Sequence, residues 1–323
     1  MIGGSGISRD RMIRRLSFTL LVLLWAQLFL ALIPSWQAGT YYSYGWLVPA
    51  AMVLLFLRRR ADSPIQPDEE SASLPKVAGW HGVPEFSAWA CLTLVVAAIL
   101  LLRIVEGGNV HWRLPIWAHG GFVVAGSLAI LWLSEGRRVM KHFAPVFLFA
   151  AVAIPLPSFL ETALVDGLTD AVVETGADLS RLLGMPVEVT GRAFLIDGQP
   201  VDVNDGCSGI RSFQSSLMAG LFVGELLRLG WPARLTLLMI SVGAAFLANA
   251  VRVVVLIDAF LQSGYKGIDA RHDTAGNVAL LITYGLIVGF GFLLDRWMPE
   301  KEDYPTGSSE AGAVDPQPSP SAS

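Results

Sequence analysis

Charge is scarce in this chain. Only 15% of its 323 residues are Asp, Glu, Lys or Arg, where a soluble domain carries about a quarter. Cysteine is scarcer still: Cys91 and Cys207 are the only two, too few for a disulfide framework or a cysteine-rich zinc site. The five histidines (His81, His111, His119, His142 and His272) are scattered without metal-ligand spacing. HDTAG offers one imidazole and makes no zinc site. The sequence has no Gly-rich phosphate loop and no basic, aromatic-interleaved patch. It also lacks the internal repeat that builds inverted transporter halves. No metal or cofactor is therefore expected, and nucleic acid is excluded as a partner.

What is abundant is apolar sequence, 53% of the chain, and it is blocked into runs. A membrane span needs roughly 20 mostly apolar residues. Runs of that kind occupy residues 16–34, 41–57, 86–105, 117–134, 142–157, 209–229, 235–261 and 277–295. The second and fifth are near the lower limit. The expected fold is all-α and polytopic, with about eight transmembrane helices embedded in a lipid bilayer. The first run follows RDRMIRR and has no small-residue cleavage site, so it reads as a span rather than a signal peptide. Most Lys and Arg fall on one side of this arrangement, including Arg9, Arg11, Arg14, Arg15, Arg58, Arg59, Arg60, Arg137, Arg138 and Lys141. The positive-inside rule then puts both termini in the cytoplasm, with the protein in the inner or plasma membrane. Residues 1–304 form the integral membrane domain. Residues 61–84, rich in Pro, Ser and acids, read as a flexible cytoplasmic loop. The low-complexity residues 305–323 read as a disordered cytoplasmic tail.

Residues 158–207 form the longest outward excursion. Leu160, Leu164, Leu168, Val172, Leu179 and Leu183 share one helix face, while Asp166, Asp170, Glu174 and Asp178 recur every four residues on another. The pattern predicts an outward-facing amphipathic helix, stopped by Gly184 and Pro186. Its acidic side reads more simply as a solvated face than as a cation site. VEVTGRAFLIDGQPVDV then alternates apolar and polar residues, with turn signals at Thr190-Gly191 and Asp197-Gly198. It predicts a short β-hairpin.

That hairpin delivers the chain to Asn204-Asp205-Gly206-Cys207-Ser208-Gly209, at the lip of the sixth span. Cys91, within the third span, reads as a small buried hydrophobe. Cys207 has no outer partner for a disulfide. Two glycines flank it, and a helix N-terminus there would favour a thiolate. The residues alone leave nucleophile and structural cysteine both open. In the seventh span, Asn249 and Arg252 are three residues apart and share a face. A charge inside a span costs about 2.5–3.5 kcal/mol, and with Asp258 six residues on, Arg252 is expected to face a polar cavity or a neighbour such as Asp205 rather than snorkel. His272 lies in the expected loop QSGYKGIDARHDTAGN before the last span. Alone of the five histidines it sits in this second-longest outer loop, and it is the candidate base.

Asn204-x-x-Cys207-Ser208-Gly209, Asn249-x-x-Arg252 and His272-x-x-x-Gly276, in that order on the last three spans, resemble the exosortase/archaeosortase family. The resemblance covers residues 145–295, expected to be the catalytic part. It implies a Cys207, Arg252, His272 constellation facing the periplasm or exterior. It also implies exported protein substrates bearing a C-terminal sorting signal of the PEP-CTERM kind: a short motif, one transmembrane helix and a basic tail. The implied reaction is cleavage by a cysteine transpeptidase or protease through a Cys207 thioester, resolved by water or by an amine or envelope acceptor. Asn204 and Asn249 are candidate orienters, and Ser208 either orients or caps the helix. Arg211 either recognises the motif or sits at the interface. The competing class is a non-enzymatic transporter or an assembly factor for exported polysaccharide, in which Arg252 binds an anion and Cys207 is incidental.

Overall fold

The computed structural model describes residues 4–37, 41–62, 85–108, 112–202 and 209–298. Asn204, Asp205, Cys207, Ser208, the side chain of Cys91 and the segments 63–84 and 305–323 lie outside the described residues. The described chain is predominantly helical. Nine helices occur among these residues: α1 (Gly4–Gln37), α2 (Val48–Ala61), α3 (Glu85–Gly108), α4 (Leu114–Glu135), α5 (Arg137–Phe149), α6 (Ser158–Leu182), α7 (Ile210–Leu226), α8 (Trp231–Ser263) and α9 (Tyr265–Trp297).

Four of them are long and apolar enough to cross a membrane: residues 15–37 of α1, then α4, α8 and α9. A fifth span arises only if α5 and α6, bent by 75° across the short 3₁₀ turn Ala150–Ala153, count together. Among the described residues the expected count of eight is not confirmed. Length accounts for three of the other helices, though not for the 24-residue α3. α2 has 14 residues, α5 has 13 and α7 has 17, each short of the roughly 20 that a span requires. Part of their apolar surface packs against neighbouring helices, through Met52 and Leu55 of α2, Val146 and Phe147 of α5 and Met218 and Val223 of α7. One core joins α1, α2, α4 and α5 through Leu28, Leu32, Leu55, Val123 and Phe147. A second joins α7, α8 and α9 through Val223, Leu237 and Ile287.

One end of the bundle is tied by a buried ionic knot. Glu225, at the end of α7, accepts from Arg59 of α2 and from Arg234 of α8 (2.7 Å), and Arg59 also donates to the His142 carbonyl of α5. Glu225 is almost wholly buried. Losing one partner there would strand a charge, which typically costs about 3–5 kcal/mol. At the opposite end, Glu161 at the start of α6 accepts from Tyr42 and Arg113, and the Arg113 guanidinium sits 5.5 Å from the centre of the Tyr42 ring. Burial, reinforced by the Glu161 carboxylate, raises the Tyr42 hydroxyl pKa well above its ordinary value, so it donates at all physiological pH.

This second end also carries the sheet. The Asp197-Gly198 turn, with both residues at positive φ (51° and 77°), forms the tight connection that suits a two-residue hairpin. Both expected turns are present, but the hairpin gains a third strand: β1 (Val187–Thr190), β2 (Ala193–Ile196) and β3 (Gln199–Asp202), antiparallel in the order β1-β2-β3. Phe194 and Ile196, alternate residues of the central strand, are buried with Val172, Val173 and Ala177 of α6 and Val253, Ile257 and Phe260 of α8. The expected helix at 158–183 is present as α6. Its packing stripe meets the expected face fully only at Val172: Leu160 and Leu183 are exposed, Leu164, Leu168 and Leu179 are half-buried, and Val165, Thr169, Gly176 and Ser180 are buried beside Val172. Close approach explains this choice. A Cβ on Gly176 would fall 2.8 Å from Val253 of α8, so only small side chains fit between the two helices. The acidic side is partly engaged rather than merely solvated. Arg192, in the β1–β2 turn, donates to Asp166 (2.5 Å) and Asp170 (2.6 Å) and clips the sheet to α6.

α8 and α9 make a hairpin of two 33-residue helices turned at Gly264. At 1.5 Å per residue each is about 50 Å long, against a hydrocarbon core of about 30 Å. Each helix is thus longer than the hydrocarbon core by about 20 Å. QSGYKGIDARHDTAGN, expected as a loop, is helical from Tyr265 onward. Packing on α8 overrides its turn-like composition. The Tyr265 ring sits edge-on to Phe260. Gly267 also passes so close to α8 that a Cβ there would overlap the Ala259 carbonyl oxygen, at 2.1 Å.

Candidate active site

The site is assembled where α7 begins, α8 passes and α9 returns. Gly209 is the N-cap of α7 in the left-handed conformation, at φ 80°. Its backbone lies against the side chain of Asn249 on α8: a Cβ would be 2.6 Å from Nδ2 and 2.8 Å from Cγ. Asn249 is 2% exposed. The third motif of the sequence joins the second from the other side. Arg252 Nη2 lies 2.8 Å from His272 Nε2 on α9. Gly276, one turn beyond His272, lies directly beneath the guanidinium, where a Cβ would meet Arg252 Nε at 3.5 Å. The spacing x-x-x between His272 and Gly276 thus places an imidazole and a bare backbone under one arginine. Asn249 and Arg252 divide their work: the amide meets the start of α7, and the guanidinium meets α9.

Donor logic fixes the tautomer. Guanidinium nitrogens have no lone pair to accept with, so Arg252 Nη2–H donates and His272 Nε2 accepts. The ring proton is then on Nδ1, which lies 3.1 Å from Asp273 Oδ1. The His272 ring thus sits between a guanidinium at Nε2 and a carboxylate at Nδ1. Asp273 escaped the sequence reading. Its only signal was adjacency to His272, and its side chain is 95% exposed. Arg271, by contrast, is turned toward α8, where it donates to Asp258 (3.3 Å) and Gln262 (2.9 Å). Asp258 therefore serves Arg271 and not Arg252. Arg211 is exposed in the first turn of α7.

The segment that carries Cys207 is anchored at both flanks. Before it, the Pro200 carbonyl of β3 accepts a 2.7 Å hydrogen bond from the Tyr265 hydroxyl at the start of α9. After it, Gly209 is seated on Asn249. Among the described residues no group of three or more His, Cys, Asp or Glu could hold a metal ion.

The seat of Gly209 makes a direct prediction. Gly209→Ala adds a methyl that overlaps Asn249 and forces a non-glycine residue into the left-handed region, which alone costs about 1–2 kcal/mol. The variant is expected to melt at lower temperature than the parent in detergent, and unchanged melting would contradict this packing.

Compared with known proteins, the chain matches the family model of the transmembrane exosortases over residues 36–289, most of its length. No curated protein and no solved structure matches it.

Proposed function

The chain belongs to the transmembrane exosortase family, and from that premise we propose that it is a membrane-embedded cysteine transpeptidase. Its substrates are exported proteins ending in a sorting signal of motif, transmembrane helix and basic tail. Cys207 is the nucleophile, His272 the base and acid, and Arg252 the oxyanion donor. The observation that carries this reading is the 2.8 Å contact between Arg252 and His272, with Gly209 seated on Asn249 one turn away along α8. Chain geometry limits Cys207, two residues from Gly209, to about 7 Å from it between Cα atoms. The sheet end faces the periplasm or exterior in this reading, because Arg58, Arg59, Arg60, Arg137, Arg138 and Lys141 all sit on helix segments at the other end.

The donor arrangement suggests a handover. In the resting site, His272 Nε2 accepts from Arg252. When Nε2 takes the Cys207 thiol proton, the imidazolium no longer has a lone pair for the guanidinium, and two cations now face each other. Arg252 is released toward the negative charge that develops as the thiolate adds to the substrate carbonyl carbon. It stabilises that oxyanion. The Nε2 proton then passes to the departing backbone nitrogen, the C–N bond breaks, and the carbonyl remains on sulfur as a thioester. An amine or envelope acceptor, or water, takes the acyl group and regenerates the thiol. Asn249 orients the start of α7, and Asn204 and Ser208 are the orienters on the nucleophile's own segment. Arg211, exposed in the first turn of α7, is the candidate for reading the motif.

The test is chemical. Wild-type protein and a reporter ending in motif, apolar helix and basic tail are expected to give an adduct on Cys207 that hydroxylamine releases. Cleavage of the reporter without any such adduct, under conditions that slow turnover, would overturn the thioester. Asp273→Asn checks the orienter. The hydrogen bond is exposed and worth about 1 kcal/mol, so kcat is expected to fall by only about fivefold, with KM unchanged. A loss of several hundredfold would mean that Asp273 is buried by substrate and does more than orient.

A further inference from the structure

A cavity of about 760 Å³ runs between α8 and α9 on the membrane-facing side of the hairpin. Its floor is made of small residues on both walls, Gly243, Ala244 and Ala248 on α8 and Ala275 and Ala279 on α9. Alanine four residues from alanine on each wall, at Ala244 and Ala248 and at Ala275 and Ala279, is the spacing at which membrane helices approach closely. The groove is lined along α8 from Ile240 to Val255, about 22 Å at the α-helical rise, or most of the hydrocarbon thickness of about 30 Å. Its side chains are otherwise apolar and outward-facing: Leu247, Val278 and Ile282 are all exposed. The polar lining is confined to the sheet end, and it is Arg252 itself, with Arg271 and Thr274.

We propose that this groove is the docking site for the transmembrane helix of the substrate's sorting signal. The inference rests on the transpeptidase reading of Arg252 and gives that site its membrane-embedded half. The same guanidinium that contacts His272 forms the groove's upper wall, so the two sites are continuous. A helix lying between α8 and α9 would emerge from the hydrocarbon at Arg252. Its first peptide carbonyl outside the bilayer would then arrive at the proposed oxyanion donor. Charge fits this occupant: the basic mouth meets a carbonyl that becomes an oxyanion, while the apolar remainder meets an apolar helix. An acyl chain would satisfy the apolar walls but offers nothing to the polar lining at Arg252, Arg271 and Thr274. The groove thus acts as a ruler, setting which bond outside the membrane is cut by where the helix is held.

Photocrosslinking in membranes tests this. Benzoylphenylalanine is placed at Ala248 or Ala279 in the groove, or at exposed Leu100 on α3, in a Cys207→Ala background that leaves the tail uncut. The probe is an epitope-tagged reporter ending in one apolar helix and a basic tail. Adducts with the reporter are expected from positions 248 and 279 and none from 100. Adducts with phospholipid alone, or with a second copy of the chain, overturn the proposal, as does equal labelling at all three positions. As an independent variant, Ala248→Trp fills the groove. It is expected to abolish cleavage of the reporter while leaving the melting temperature near that of the parent, and full cleavage by a folded Ala248→Trp would also overturn the proposal. The two readings fail separately. Cleavage that persists in Cys207→Ala removes the thioester but leaves groove adducts meaningful, whereas cleavage lost in Cys207→Ala without groove adducts removes the docking site alone.

Discussion

Cys207→Ala is expected to leave a tail-bearing reporter at full length, with no product at any incubation time that preserves the membrane. The size of the effect follows from what remains when a nucleophile is removed. In hydrolases that act through a covalent intermediate, losing the nucleophile costs about 10⁶ in kcat, and the residual acceleration comes from oxyanion stabilisation and binding alone. Against peptide hydrolysis, such a residue of activity is invisible on a gel. Cys207→Ser should fail as well, since a hydroxyl is far harder to deprotonate than a thiol. Cys91→Ala is the internal control. It removes the only other thiol in the chain and is expected to process normally. Processing that survives Cys207→Ala would dismiss the nucleophile and favour the transporter or assembly role. There Arg252 would bind an anion, and the turn before α7 would be only a connection.

The three motifs were readable because each consists of residues that are out of place for their setting. An arginine in the middle of an apolar run, an amide three residues before it and a histidine four residues before a glycine are all improbable as packing. The structure accounts for the described ones by contact: Arg252 on His272, Gly276 under Arg252, Asn249 on Gly209. Other features were hidden for physical reasons. Tyr265-Lys266-Gly267 and the residues after it look like a loop, since glycine, aspartate and threonine all favour turns. They are helical because Gly267 lets α9 close onto the Ala259 carbonyl of α8, a tertiary gain that local propensity does not register. Hydropathy likewise leaves the number of spans open. It reports that a segment avoids water, not what it avoids water with. α7 buries Ser216, Gly220 and Gly224 against α8, where a Cβ on Gly220 would strike Ser241 at 2.5 Å. Its apolar composition serves that interface. β3 was missed because Gln-Pro-Val-Asp is short and carries a proline, yet Pro200 sits on an edge strand where its lack of an N–H costs nothing. Asp273 carried no pattern of its own, and only the Nδ1 contact gives it a role.

Arg252→Lys should cost far less than the loss of the nucleophile but still cripple turnover, although it keeps the charge. Removing one oxyanion donor from an acyl-transfer site costs about 10²–10³ in kcat, or about 2.7–4 kcal/mol. Lysine forfeits that donor because of shape. The guanidinium lies as a plate over Gly276, with Nη2 on His272 Nε2 and Nε against the α9 backbone. Its planar fork can thus rest on one group and turn toward another. An ammonium is a single point on a flexible stem, and where it donates to His272 it has no second nitrogen to offer the substrate. The handover between imidazole and oxyanion is lost, so kcat should fall by that factor while KM for the reporter changes little. Were Arg252 only a structural tie between α8 and α9, the lysine would preserve it. The one 2.8 Å bond to Nε2 could be remade, and both kcat and melting temperature would stay near those of the parent. Intact kcat with intact melting therefore assigns Arg252 to the fold, and intact melting with a collapsed kcat assigns it to the oxyanion.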